Sequence, residues 1–281
     1  MKRPLMAFLV VAVSALSPAA AEDEITAKLY PRSKEEIRDR IKEIEKRDGP
    51  AGIDRDQQKA VNLLNIYRYL SGISDNVEGD ATMVEQAMDA AQACREHGAM
   101  SHDLGHSTEI CNLASGGNMS SSIKQFIDDI GEKNRDKRGH RRFCLNPQMG
   151  KTGFGFAKPY SAMVVTDSSG AEIPKDSWAY PGKGLFPEKY LHGEAWSLYL
   201  TKNAPNWKDI TVEVYELSER PKKAFSSSEE IPGKAVPVNY VGTYLNAINF
   251  EPEADRIKRK GIYWVRIKGE GVDEGYVVEL Y

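Results

Sequence analysis

The sequence predicts an α+β protein in which a helical half comes first and a half made of β-strands follows. Up to about residue 150, apolar residues recur with the 3.6-residue period of amphipathic helices, and beyond it they alternate with the two-residue period of strands. The start of the chain has the composition of an export signal. At 281 residues, the chain is longer than one ordinary domain, so we expect two cores.

The first 21 residues have the three parts of a cleavable signal peptide. Lys2 and Arg3 precede an apolar run over 5–16, and an A-x-A cleavage site ends at Ala21. The run is shorter than the roughly 20 apolar residues that a transmembrane helix needs, and no later segment approaches that length. We therefore expect cleavage after Ala21, a secreted or periplasmic protein, and no integral membrane segment after removal of the signal.

Charge and cysteine content narrow the class of protein. Without Lys2 and Arg3, 36 Lys and Arg face 41 Asp and Glu, so the formal charge changes from −3 to −5. The basic surface typical of nucleic-acid binding is therefore not expected, and nucleic acid is not an expected partner. Cys94, Cys111 and Cys144 are too few for a disulfide scaffold. Three buried thiols and a single bridge both remain open, and the sequence does not choose a pair.

Capping residues and apolar stripes predict the helices of the first half. A capping box opens a helix over about 34–47, within an N-terminal helix and linker segment that we place at 22–54. Wide apolar stripes predict core helices over 56–72 and 80–98, the second of them rich in alanine. Serines at 120–122 offer the N-cap of a third core helix.

Alternating residues predict the strands of the second half. The clearest runs are 210–215 and 263–268. Similar runs cover 161–166, 195–200, 240–250 and 276–281. Because Pro- and Gly-containing turns separate them and no helical pattern intervenes, we predict a small all-β, immunoglobulin-like sandwich over 173–281.

An aromatic, Pro- and Gly-rich loop over 178–187 lies at the start of this second half. Together with Trp196, Tyr199 and Trp207 it would form either part of the sandwich core or a stacking surface for sugars or an extended peptide. The buried alternative is the favoured one, because aromatic side chains dominate the cores of such sandwiches.

Two motifs of the helical half follow one another in a specific order. LNIYR at 64–68 precedes an Ala-rich helix and a Ser-His pair that ends at His102, and GHRRFCLNP at 139–147 precedes Gly-x-Gly at 153–155. In this order they resemble the signatures of the bacterial type of CAP domain (SCP-like; cysteine-rich secretory, antigen and pathogenesis-related proteins). The resemblance covers roughly 55–168. It implies an α/β/α sandwich, which we place at 55–172.

The resemblance also implies a cleft. In the family, two histidines, here His102 and His140, face each other, commonly with two glutamates, and hold a divalent metal such as zinc. The sequence departs from that pattern, since Cys111 stands where the first glutamate belongs and Glu109 lies two residues away. The second glutamate is missing from the third helix. Its nearest polar candidates are Gln125, Asp128 and Asp129.

These observations lead to a set of candidate site residues. Those expected to bind ligand are His102, Glu109, Asn112, Asp129, His140 and Arg141. Arg141 or Arg142 would present its planar fork to an anion or carboxylate. His102 and His140 are the candidates for both catalysis and metal binding.

The function that these residues imply is binding outside the cytoplasm. We expect an exported CAP-domain protein that binds an extracellular small molecule, lipid, peptide or cell-surface polymer at a His-lined cleft. One alternative is a metal-assisted, peptidase-like hydrolase that uses His102 and His140. Another is a structural or adhesive module in which the cleft is vestigial.

Overall fold

The structure, a computed structural model, describes residues 27–170 and 172–281, apart from the side chain of Lys133. The expected signal peptide and its cleavage site lie outside these residues. Helices and several sheets are both present, which confirms the α+β class. Within the described ranges, no helix has both the length and the apolar content needed to cross a bilayer.

The helices begin and end at capping residues. They are α1 (Lys34–Glu45), α2 (Arg55–Ser71), α3 (Ala81–His97), α4 (Met119–Asp128) and α5 (Gly139–Cys144). Capping boxes at Ser33 and Asp54 satisfy the first backbone N–H groups of α1 and α2. Gly72 and Gly98 end α2 and α3 in the left-handed conformation, with φ of +87° and +78°.

The strands follow the alternating segments of the sequence. Those next to the helices are β1 (Glu78–Gly79), β2 (Cys111–Ser115), β3 (Lys151–Thr152), β4 (Phe154–Ala157) and β5 (Tyr160–Val164). Those of the second half are β6 (Trp178–Tyr180), β7 (Gly184–Phe186), β8 (Trp196–Tyr199), β9 (Ile210–Leu217), β10 (Gly233–Val236), β11 (Val238–Tyr244), β12 (Ala247–Pro252), β13 (Ile262–Gly269) and β14 (Val272–Leu280).

A three-stranded antiparallel sheet, in the order β2-β5-β4, forms the centre of the helical half. On one face, Ala87 and Ala91 of α3 share a hydrophobic cluster with Val164 of β5. On the other face, Phe126 of α4 joins a second cluster with Met163, the neighbouring residue of the same strand. Because adjacent strand residues point to opposite faces, the sheet lies between two layers of helices.

Two glycines of β4 and its preceding turn allow α3 to approach the sheet closely. A Cβ atom on Gly153 would lie 2.1 Å from the carbonyl carbon of Met83, and one on Gly155 would lie 2.2 Å from that of Ala87. Only glycine permits these contacts with the helix backbone. The Gly-x-Gly motif therefore has a packing role.

The second half consists of two sheets. One has the strand order β10-β9-β13-β14-β7 and the other β11-β12-β8-β6. Their pairings are antiparallel, apart from the parallel pair of β14 and β7. Trp196 of the smaller sheet contacts Tyr263 of the larger one edge-on, with ring centroids 5.9 Å apart. The inner faces of the two sheets therefore pack against each other.

The helical half and the strand half share one hydrophobic core. Tyr67 of α2 and Trp196 of β8 belong to the same buried cluster. Nη1 of Arg141 in α5 donates to the carbonyl oxygen of Ala195 at 2.9 Å and to Oγ of Ser197 at 2.8 Å. The boundary expected between residues 172 and 173 stays a prediction, but the packing across it is continuous.

Candidate functional site

His140 lies in the first turn of α5, where a buried carboxylate orients it. Its Nδ1 lies 2.7 Å from Oδ1 of Asp129, whose side chain is 1% exposed whereas that of His140 is 33% exposed. The imidazole also stacks on Phe126, with ring centroids 5.6 Å apart. With Nδ1 occupied and the ring fixed, Nε2 is the nitrogen left for another partner.

Asp129 is itself held by several donors. It takes the left-handed conformation at the end of α4, with φ of +52°. Oδ1 accepts a hydrogen bond from Asn134, Oδ2 accepts one from the backbone N–H of Arg141 at 3.2 Å, and its carbonyl oxygen accepts one from Arg138 at 2.6 Å. A buried carboxylate requires hydrogen bonds of this kind to offset the loss of its hydration. These hydrogen bonds hold the carboxylate of Asp129 in place, so it can hold the imidazole of His140 in one orientation.

An ion-pair cluster holds the loop between α4 and α5. Arg135 and Arg138 both pair with Glu251 of β12. Burial alone would raise the pKa of Glu251, but the hydrogen bond from Arg135 and the charges of both arginines outweigh it, so that pKa lies below its ordinary value. The loop that carries the partners of His140 is thus attached to the strand half.

His102 lies in the exposed loop after α3. Its Nδ1 lies 2.8 Å from the carbonyl oxygen of Thr108, so the ring donates through Nδ1 and Nε2 is left as an acceptor. From β2, the side-chain amide of Asn112 donates to the carbonyl oxygen of His140 at 3.1 Å. The Cα atoms of Thr108 and Asn112 are at most about 14 Å apart, given their separation in sequence. Both histidines are therefore tied to the segment that leads into β2.

The remaining predicted residues have different environments. Glu109 is exposed in a short 3-10 turn, Thr108–Ile110. Arg141 is fully buried, and it also donates to the carbonyl oxygens of Ile127 and Asp128 at 2.5 and 3.1 Å. The guanidinium of Arg141 therefore connects the two halves, and its N–H groups already donate to atoms of the protein. Arg142 is the neighbouring arginine, and among the described residues its guanidinium has no such bonds.

The donor set at the histidines does not fit the zinc site that the resemblance implies. Among the described residues, no group of three or more His, Cys, Asp and Glu side chains is arranged to hold a metal ion. Cys111 stands where the family has its first glutamate, and burial raises the pKa of its thiol to about 12. A thiol that stays protonated is a poor zinc ligand.

The chain has no recognisable relative in three comparisons with known proteins. Compared with protein-family profiles, with curated proteins and with solved structures, the chain matches none. Any function therefore has to follow from the residues of the site.

Sequence reasoning did not identify a second polar cluster, at the junction of the halves. His192 packs against Tyr67, with ring centroids 6.1 Å apart. Nε2 of His192 and the hydroxyl of Tyr67 are both buried, and neither has a hydrogen-bond partner among the residues that the structure describes. Burial raises the pKa of the neighbouring Asp128. No local motif signals this cluster, because its members are far apart in the chain.

Proposed function

We propose that this chain is an exported, CAP-like protein that binds an extracellular ligand with the surface formed by His102 and His140. The observation that carries this proposal is that each imidazole is anchored through Nδ1 and keeps Nε2 for another partner. An anchored ring loses little conformational freedom when it binds, so the two rings form a preorganised pair of contacts. Asn112 of β2 bonds to the backbone of His140, and Thr108, four residues earlier, bonds to His102.

The contacts between the two sequence motifs support the CAP-like assignment. Arg68 of the first motif is fully buried, and its Nη1 donates to the carbonyl oxygens of Cys144 at 3.1 Å and of Asn146 at 2.6 Å, in the second motif. The layer arrangement and the close approach of α3 to Gly155 are further support. We extend the proposal to an immunoglobulin-like sandwich over 173–281, supported by the contact of Trp196 with Tyr263 between the two sheets.

The proposed ligands are those expected of an exported binding protein: a small molecule, lipid, peptide or cell-surface polymer. The experiment presents the purified mature protein with phospholipid vesicles, soluble cell-wall glycan fragments and a peptide library, and measures binding by calorimetry. The double variant His102→Gln/His140→Gln is compared with His97→Gln, which alters an exposed histidine at the end of α3.

The proposal predicts that one probe class binds, and that the double variant weakens binding at least tenfold while His97→Gln has no effect. It is overturned if no class binds, or if the double variant binds as tightly as the parent protein. Thermal unfolding of each variant verifies that it is folded.

A metal-independent hydrolase is the second candidate, and the pair of Asp129 and His140 favours it. A buried carboxylate on Nδ1 selects the tautomer in which Nε2 accepts a proton, as a general base requires. Within the described part of the chain, no serine, threonine or cysteine is bonded to that nitrogen, so water would be the nucleophile. Turnover of ester or peptide substrates that disappears in Asp129→Asn would support this candidate. Equal turnover in Asp129→Asn and the parent protein would remove it.

A further inference from the structure

A groove lies at the junction of the two halves, on the side of α5 away from His140. We call it the junction groove. Its volume is 360 Å³, and residues that follow α5, the end of β8 and the turn between β11 and β12 line it. Arg142 reaches it from α5. Side chains two positions apart on a helix point in different directions, so Arg142 and His140 serve different surfaces.

Arg142 is a cation for which the described part of the chain supplies no ion-pair partner. Its guanidinium lies 4.5 Å from the ring centroid of Phe143 and 5.5 Å from that of Tyr244. Its Nε is buried and has no hydrogen-bond partner, and within the described residues the guanidinium makes no ion pair. Aromatic contacts hold an arginine in place but leave its N–H groups unsatisfied. A ligand with a planar pair of acceptor oxygens would accept hydrogen bonds from these N–H groups.

The charge of the lining points to an anion. Two cations, Arg142 and Lys202, line the groove together with no aspartate or glutamate. The chain as a whole has a formal charge of −3, so this positive lining differs from the average surface. A carboxylate in the groove would therefore meet the guanidinium of Arg142 and no opposing acidic side chain from the described lining. The ammonium of Lys202, which lies beside Gly271 at the neighbouring groove, supplements that charge.

The carboxamides of the lining point to a ligand rich in hydroxyl groups, and apolar and aromatic side chains form much of the rest of the wall. Four carboxamides line the groove: those of Asn146, Gln148, Asn203 and Asn246. Carboxamides both donate and accept hydrogen bonds, which suits hydroxyl groups and does not suit an alkyl chain. Trp178 and Tyr199 also contribute to the wall, stacked on each other with ring centroids 5.5 Å apart.

We propose that the junction groove binds an acidic sugar, with the carboxylate on Arg142 and the hydroxyl groups on the carboxamides. Each part of the ligand meets a part of the lining: the carboxylate meets the guanidinium of Arg142, and the hydroxyl groups meet the carboxamides. This site is separate from the surface formed by His102 and His140.

The test measures binding of glucuronic acid and galacturonic acid to the full mature protein, with glucose and an acetylated dipeptide as the other two probes. Titration calorimetry should detect the uronic acids and not glucose, with affinity that falls as salt is added. Arg142→Gln should weaken binding at least tenfold, and Lys202→Gln should weaken it measurably. Arg95→Gln is the matched control, because Arg95 is exposed on α3 and makes no ion pair among the described residues.

Three results would overturn the proposal. The first is that neither uronic acid binds, and the second is that Arg142→Gln and Lys202→Gln both bind as tightly as the parent protein. The third is that the dipeptide binds and the uronic acids do not, which would assign the groove to a peptide C-terminus. If Arg142→Gln fails to fold, Lys202→Gln and Arg142→Lys decide the outcome, since the lysine keeps the charge but loses the fork. His102→Gln/His140→Gln should leave uronic acid binding unchanged, so this site and the proposed function fail independently.

Discussion

Oδ1 of Asp129 lies 2.7 Å from Nδ1 of His140, so a carboxylate shielded from solvent sets the orientation of a partly exposed imidazole. The pair joins the end of α4 to the start of α5, and Glu251 of β12 holds the loop between them through Arg135 and Arg138. The position of His140 therefore depends on both halves of the protein.

Replacement of Asp129 by asparagine tests this dependence. The amide keeps the shape of the side chain but loses the charge that three donors now satisfy, so we expect a loss of about 1–3 kcal/mol in the free energy of unfolding. Urea denaturation measures it. Asp103→Asn, an exposed substitution in the loop of His102, should stay within about 0.5 kcal/mol of the parent protein. Equal stability of the two variants would contradict the role given to Asp129.

The packing of α3 against Gly155 predicts that adding one methyl group at this position strongly lowers the stability of the protein. A Cβ atom there would lie 2.2 Å from the carbonyl carbon of Ala87, so Gly155→Ala should destabilise the protein by about 1–3 kcal/mol or more. Gly139→Ala is the matched control, because its nearest neighbour would be Oδ1 of Asn134 at 3.4 Å. Thermal unfolding compares the two, and a neutral Gly155→Ala would mean that α3 lies farther from the sheet.

His192 predicts a dependence of stability on pH. Burial lowers its pKa below the ordinary value of 6.5, the charge of Lys124 lowers it further, and Asp128 opposes both. The unfolded chain therefore binds the proton more readily than the folded one. The contribution of His192 is complete above pH 6.5 and is lost as the pH falls from there towards the folded pKa.

Denaturant unfolding at pH 7.5 and pH 5.5 measures this effect. The parent protein should lose more stability on acidification than His192→Gln, whose other titrating groups are the same. Asp128 contributes with the opposite sign, because burial raises its pKa, and the comparison of the two proteins removes that contribution. Identical pH profiles would show that His192 is not buried as described.

The three cysteines predict a distinctive reaction with thiol reagents. Cys94, Cys111 and Cys144 are free and buried, and burial raises the pKa of Cys111 to about 12. The native protein should therefore react slowly with an aromatic disulfide reagent. The unfolded protein should react at all three cysteines and release three equivalents of the aromatic thiolate per chain. A single equivalent after unfolding without reductant would show that one pair is oxidised.

Capping chemistry and periodicity were the parts of the fold that the sequence revealed. The helix expected over 34–47 is Lys34–Glu45, and Gly72 and Gly98 end their helices as expected. The alternating run at 263–268 lies within Ile262–Gly269. The third helix begins earlier than its serines suggested, because Asn118 forms the capping box with Ser121.

The site was less accessible to sequence reasoning, because its contacts are not local. Arg141 was expected to bind ligand, yet α5 begins at Gly139 and Arg141 is fully buried. Neither periodicity nor motif order reveals that Asp129 turns back to His140, since this depends on a left-handed residue at the end of α4. The sequence named Arg142 as a candidate for binding an anion, but only the packing of the two halves shows that it lines the junction groove.

The side chains of His102 and His140 report most directly on the proposed binding surface. Nitrogen-15 NMR of labelled imidazoles, recorded while the probe class that binds in calorimetry is added, follows each Nε2 separately. Shifts at Nε2 of both residues, with no change at His97, are the predicted result. Binding that leaves both Nε2 signals in place would contradict the claim that these two histidines form the ligand surface.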